Sequence, residues 1–206
     1  MPVVDYPVRH LPDAEVQTLA QSWRERLNRH FLSNCLNVEE LFSAVGDAVG
    51  WPIAVEARPD TSMGQANAFV SSDRRTVYMR QSLLDAAAAG DREAVFDAVH
   101  ELAHIVLHRA QVSLARMATR DNQHKHLQPE ESAEHQANVF ARTFLMTDDE
   151  VALYPTIGAL SENCFTPPHQ AANRIAGYGR TTGRKQRKAQ REQSAHTERQ
   201  RSSRRG

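Results

Sequence analysis

The sequence predicts an α+β fold, mostly helical, with one small three-stranded sheet that is antiparallel or mixed. Two observations predict it. Apolar residues recur at three- and four-residue intervals before residue 50 and again after residue 80, and between these stretches the period shortens to two. No self-similarity appears at periods of about 20–50 residues, so a repeat architecture is not expected.

In chain order, residues 13–33 read as a helix with Val16, Leu19, Ala20, Trp23, Leu27 and Phe31 on one face. A second helix covers 38–49, with Asn37 as its N-cap and Val38, Leu41, Phe42, Val45 and Val49 turned inward. Trp51-Pro52 ends it. Ile53–Val55, Ala68–Val70 and Thr76–Met79 then read as short strands, the last two joined by a turn over Ser71–Arg75. A short alanine-rich helix follows at Gln81–Ala89, closed by Gly90. Asp91 can cap the next helix, over 92–109. The polar segment 118–128, with His124 and His126, is expected to be loop. Pro129 opens a helix at about 130–146, because proline suits a first helical position. Residues 150–178 offer two short helices broken at Thr166-Pro167-Pro168. The organisation expected is an N-terminal helical segment over 1–50 packed on the core, a main domain over 51–179, and a tail over 180–206.

With 206 residues, 40% hydrophobic and 24% charged, the chain has the composition of a soluble globular protein with a real core. No stretch approaches the roughly 20 apolar residues that cross a bilayer. The opening MPVVDYPVRHLPDAE lacks the apolar run of a signal peptide, so the expected location is cytoplasmic. Cys35 and Cys164 have no partner at metal-ligand spacing and read as free thiols. The net charge of zero hides an asymmetry. Residues 180–206 carry ten Lys or Arg against two Glu, a net +8, which leaves −8 on the rest. That tail has no aliphatic or aromatic residue beyond two alanines, so it is expected to be disordered. It could contact nucleic acid weakly through its charge, or simply be a solvated tail.

The chemistry lies in His100-Glu101-Leu102-Ala103-His104, an H-E-x-x-H pattern within the helix expected at 92–109. Positions four apart lie on one face about 6 Å along the axis, so two imidazoles can converge on one tetrahedral ion. Glu101 lies about 100° around the helix, beside the ion rather than on it, where a base for an ion-bound water must sit. Phe96, Val99, Ala103, Val106 and Leu107 mark an apolar stripe with the two histidines at its border. His108 continues the four-residue series, but three ligands at this spacing span about 12 Å, too far for one ion. It is read as a packing residue or an outer partner of a ligand.

A third ligand is best sought on the helix at 130–146, whose inward stripe runs through Ala133, Ala137, Phe140, Ala141, Phe144 and Leu145. Glu134 falls on that stripe, and a carboxylate among apolar groups is costly unless it is paired or metal-bound. Glu131 and His135 point away. Asn138, one turn further, could take the outer ring N–H of a ligand histidine, or be an exposed helix residue. Such a set supports zinc-assisted amide hydrolysis with Glu101 moving the proton from water to the leaving amine. An oxyanion donor besides the ion is also needed. Tyr78, His124 and His126 qualify by residue type alone. The strand Thr76–Met79 could be an edge that pairs with an extended substrate.

HELAHIVLH at 100–108, followed some 30 residues later by EHQANVFARTFLM at 134–146, resembles the ImmA/IrrE family of zinc metallopeptidases. The resemblance spans roughly residues 50–180. It departs at Ala103, where the family more often has glycine, and at Thr147, where proline usually follows the methionine. It implies that 51–179 is a zincin-like metallopeptidase domain with a gluzincin-like site. His100, His104 and Glu134 are then the zinc ligands and Glu101 the base. It also implies a substrate, a helix-turn-helix repressor of a phage, mobile element or stress response. Residues 159–175 have helix-turn-helix-like spacing, but in the family a similar helical pair packs on the peptidase core. The alternative is a non-catalytic regulator or toxin–antitoxin-associated binding module, with DNA reached through the tail. Glu101 speaks against it, since a binding module needs no base beside two ligands.

Overall fold

The computed structural model describes residues 7–27, 37–64, 66–71, 75–108 and 127–180. Two helices open it, α1 (Asp13–Arg26) and α2 (Val38–Val49). The Asn37 side chain accepts from the Glu40 amide, and Gly50 closes α2 in the left-handed region at φ 82°. Strands β1 (Ala54–Arg58), β2 (Ala68–Val70) and β3 (Thr76–Arg80) follow, with α3 (Gln81–Ala88) and α4 (Arg92–Leu107) after them. Beyond them come a 3-10 turn at Pro129–Glu131 and the helices α5 (Ala133–Leu145), α6 (Asp148–Leu153) and α7 (Ile157–Asn163). Helix α8 begins at 168 and runs to 180, where the described residues end. The fold is α+β, and among the described residues no helix is long and apolar enough to cross a membrane.

The sheet is mixed, in the order β1-β3-β2: β3 runs parallel to β1 and antiparallel to β2. This corrects one expectation. Thr76–Met79 is the central strand, hydrogen-bonded on both sides, so it offers no free edge; among the described residues the edges are β1 and β2. Val77 and Met79 are fully buried in the core that α4 shares, so the pleat turns Tyr78 to the opposite face. There its ring meets Phe69 at 4.9 Å between centroids and lies under the Arg58 guanidinium at 4.5 Å.

The main core joins α1, α2, the inner sheet face, α3, α4 and α5, with Val16, Phe42, Val77, Leu102 and Phe140 at 0% exposure among its members. A second cluster forms around Met146, Val151, Leu160, Cys164 and Ala171. Two buried arginines fasten the end of α5, where helix carbonyls lack intrahelical partners. Arg24 donates to the Phe144 carbonyl and pairs with Glu150 at 3.2 Å. Arg174 donates to the Met146 carbonyl at 2.8 Å and pairs with Asp148 at 2.6 Å.

Several boundaries differ from expectation, three of them for a reason visible in the structure or the described range. The helix opened by Pro129 begins at Ala133, because Ser132 accepts from the His135 amide and caps it, leaving Pro129–Glu131 as a 3-10 turn. Residues 150–178 hold parts of three helices rather than two. Thr147 and Glu150 form a reciprocal capping box that starts α6, so the residue standing where proline was expected makes its own turn. The first helix ends at Arg26; Phe31 and Cys35 lie outside the described residues, as do His124, His126 and the tail from 181.

Gly46, within α2, has a packing role. A Cβ there would stand 2.8 Å from the Ile53 nitrogen and 2.9 Å from the Trp51 carbonyl oxygen, both backbone atoms. Alanine gains about 1 kcal/mol of helix propensity over glycine. Displacing backbone costs more, so Gly46→Ala is expected to lower stability by about 1–3 kcal/mol. A urea midpoint at or above that of the native chain would contradict the packing.

A candidate metal centre between two helices

The site is assembled by two caps and one helix–helix contact. The Asp91 side chain accepts from the Ala94 amide and starts α4, which buries Phe96, Val99, Leu102 and Ala103. That orientation leaves His100 and Glu101 at the margin of the buried face and His104 inside it, at 8% exposure. The Ser132 cap sets Glu134 in the first turn of α5. Helix α5 packs on α4 within the shared core, to which it contributes Ala137, Phe140 and Ala141, and this brings the two elements together.

Three ligand atoms meet there. His100 Nε2 lies 3.2 Å from Glu134 Oε2, His104 Nε2 lies 3.4 Å from Glu134 Oε1, and the two ring nitrogens are 3.1 Å apart. A tetrahedral ion with bonds of about 2.0–2.1 Å requires ligand atoms about 3.3 Å apart. The nitrogen–nitrogen distance is close to that edge length, each nitrogen lies at about that distance from one of the two Glu134 oxygens, and one donor atom from each residue lies within 4.8 Å of the others. Two imidazole nitrogens and a carboxylate oxygen around a common point are a donor set suited to zinc. His100, His104 and Glu134 can therefore hold a metal ion.

The electrostatics fit. Burial opposes charge on Glu134, yet hydrogen bonds from His100 and His104, and their charge, outweigh it and hold the carboxyl well below the usual range. Burial likewise disfavours the imidazolium of His100, but the Glu134 hydrogen bond and the nearby Glu101, Glu134 and Asp97 raise it on balance. Glu101 is pushed upward, mainly by desolvation, with the two histidines acting against it. Among the described residues it forms no hydrogen bond or ion pair. Asp97 is raised by burial, against a hydrogen bond from Asn67 at 3.0 Å that ties the start of β2 to α4.

Other candidates divide. His108 is 1% exposed, and its Nδ1 lies 3.1 Å from His104 Nδ1. Burial, then the neighbouring His104, lowers its pKa to about 4, so it is neutral at physiological pH. Asn138 reaches no ring nitrogen: its amide donates to the Glu134 carbonyl one turn back, at 2.8 Å. Tyr78 is not brought to the cluster either, because it lies on the outer face of the sheet. Sequence reasoning missed Gln136. Fully buried, its Oε1 sits 3.1 Å from His108 Nε2, and its amide donates to the carbonyls of Arg9 at 2.9 Å and Glu130 at 2.7 Å. The signal was available: Gln136 shares a helix row with Phe140 and Phe144, where a polar group is costly unless satisfied.

Comparison with known proteins finds a family match over the same segment. Residues 62–157 match the IrrE N-terminal-like domain of the Peptidase_M78 family, a stretch that contains all of the cluster. This segment belongs to the ImmA/IrrE family. Peptidase_M78 proteins are metal-dependent peptidases, and the segment brings together residues able to hold the ion. No curated protein matches the chain. Among solved structures, a Mycobacterium tuberculosis transcriptional regulator is similar at 18% identity and a TM-score of 0.46. The similarity covers 80% of this chain and 52% of that one, so this chain spans about half its length.

Proposed function

We propose that this chain is a zinc-dependent endopeptidase that cleaves a regulatory protein, a helix-turn-helix repressor being the substrate its family resemblance suggests. His100, His104 and Glu134 hold the ion in this reading, and Glu101 is the base. The observation that carries it is Glu101 itself. A carboxylate one residue from His100, raised by burial and without a partner among the described residues, has no structural task and suits proton transfer.

Bound zinc would supply a Lewis acid that acidifies water and polarises the scissile carbonyl. Glu101 takes the proton from the attacking water as the new C–O bond forms, then delivers it to the amine nitrogen, whose protonation lets the peptide C–N bond break. His100, His104 and Glu134 keep the reacting centre at the helix margin. Strand β2 is an edge, and the Asn67–Asp97 contact sets it beside α4. It is therefore the strand we assign to pair with an extended substrate, in place of β3.

The test is Glu101→Gln, compared with the native chain for zinc content and for cleavage of a co-expressed repressor. Zinc content is expected to be unchanged and cleavage to fall by about 10²–10⁴-fold. Equal cleavage by the two proteins would refute the peptidase reading.

A further inference from the structure

Helix α5 has a second polar face besides the one that carries Glu134. Spacings of four and three put His135, Val139 and Arg142 on that face, turned about 80–140° from Glu134. It meets α1 and α8 across a pocket of about 230 Å³, which none of the three cluster residues lines. Asp13 of α1 and Asn173, Arg174 and Arg180 of α8 stand in the same wall. Sites that bury a drug-sized ligand hold about 300–1,000 Å³, so the occupant here is a small group.

The charge of the wall is unbalanced. Three arginines face one carboxylate, a net +2 with His135 left out of the count. Asp13 is already engaged by His135 Nε2 at 2.8 Å. Arg174 is committed to the Met146 carbonyl and to Asp148. The other two arginines are not matched. Arg142 is half-buried, and its hydrogen bond goes to the neutral Gln170 Oε1, at 3.4 Å. Among the described residues it forms no ion pair. Burial lowers its pKa, against the pull of Asp13 and with the push of Arg174. Arg180 folds back along α8, its Nη2 4.0 Å from where a Cβ on Gly177 would stand, and it too forms no ion pair among the described residues. A partly desolvated guanidinium without a counter-charge is costly, so the pocket lacks negative charge.

We propose that this pocket binds the phosphoryl group of a small molecule, inorganic phosphate or a phosphate monoester, clamped by Arg142 and Arg180. A phosphate carries about −1.5 to −2 charges at pH 7 and three strong acceptor oxygens, which suit a net +2 and two planar forks of N–H donors. Asn173 adds an amide donor in the same wall. A carboxylate brings about half that charge, and a cation meets the wrong sign. The site is distinct from the metal cluster and does not depend on the zinc reading.

The full ¹⁵N-labelled chain, loaded with zinc and again after chelation, is titrated with inorganic phosphate and with glycerol 3-phosphate. Ionic strength is held at about 0.15 M with sodium chloride. Amide shifts at Asp13, Val139, Asn173 and Gly177 are expected to saturate with a Kd on the order of 1 mM or below for at least one of them. The tighter of the two names the source. Arg142→Gln is expected to weaken that ligand about 10–100-fold. Arg26→Gln, which removes an exposed charge from the other end of α1, should leave the Kd unchanged. Should Arg142→Gln not fold, the exposed Arg180→Gln is expected to weaken binding about 10-fold, and an unchanged Kd there would overturn the clamp. Failure of both ligands to saturate by about 20 mM would overturn the site. So would shifts confined to residues 181–206, binding that disappears on chelation, or equal losses in Arg26→Gln and Arg142→Gln.

Discussion

Glu134→Ala is expected to weaken zinc binding by on the order of 10²–10³-fold and to abolish cleavage at ordinary zinc concentrations. Structural zinc sites with four ligands gain about 10–16 kcal/mol, so each ligand accounts for about 3–4 kcal/mol. Glu134 is the one carboxylate of the cluster, and it stands on α5 while both histidines stand on α4. Its loss leaves two imidazole nitrogens 3.1 Å apart with nothing anionic between them. The effect should differ from that of Glu101→Gln, which keeps the ion and stops the reaction. Zinc content by elemental analysis separates the two variants. A Glu134→Ala protein that retained stoichiometric zinc through gel filtration in the presence of a mild chelator would remove Glu134 from the ligand set.

Phe140→Ala is expected to destabilise the fold by about 3–5 kcal/mol. The ring is fully buried in the core that α4 and α5 share, and it stacks on Phe144 at 5.9 Å between centroids and 13° between planes. Removing it opens a cavity in the interface that holds Glu134 against His100 and His104. Phe140→Leu, which keeps most of the volume, should cost much less. Urea denaturation of the metal-free proteins measures the difference directly. A loss below about 1 kcal/mol would mean that this interface does not hold the two ligand-bearing helices together.

The parts of this molecule legible in the sequence are those specified by neighbouring residues. Asn37 and Asp91 read as caps and are caps, because an N-cap is a contact across three residues. His100 and His104 were placed by helical spacing, and Glu134 by a polar residue interrupting an apolar stripe. What was missed depends on contacts between distant segments. The position of β3 inside the sheet follows from its parallel pairing with β1, a long-range choice that the alternating pattern of 76–79 cannot express. That pairing, with the pleat, also decides which way Tyr78 faces. Pro129 pointed to a helix start that Ser132 takes instead, a competition between two acceptable caps. Gln136 was legible by the same reasoning that found Glu134, but its partners are His108 and the backbone at Arg9, over a hundred residues earlier.

The order in which the ligands occur along the chain has a consequence in time. His104 and Glu134 are 30 residues apart, and a ribosome adds about 5–20 residues each second. The two imidazoles therefore leave the site of synthesis about 2–6 seconds before the carboxylate that completes their triangle. By then β2 and β3 can already have paired, since only five residues separate them. Helix α4, in contrast, waits for α5 to complete the core in which Leu102 and Ala103 are buried. A nascent chain cannot assemble the three-ligand cluster early. Its completion marks the moment at which the second helix has docked.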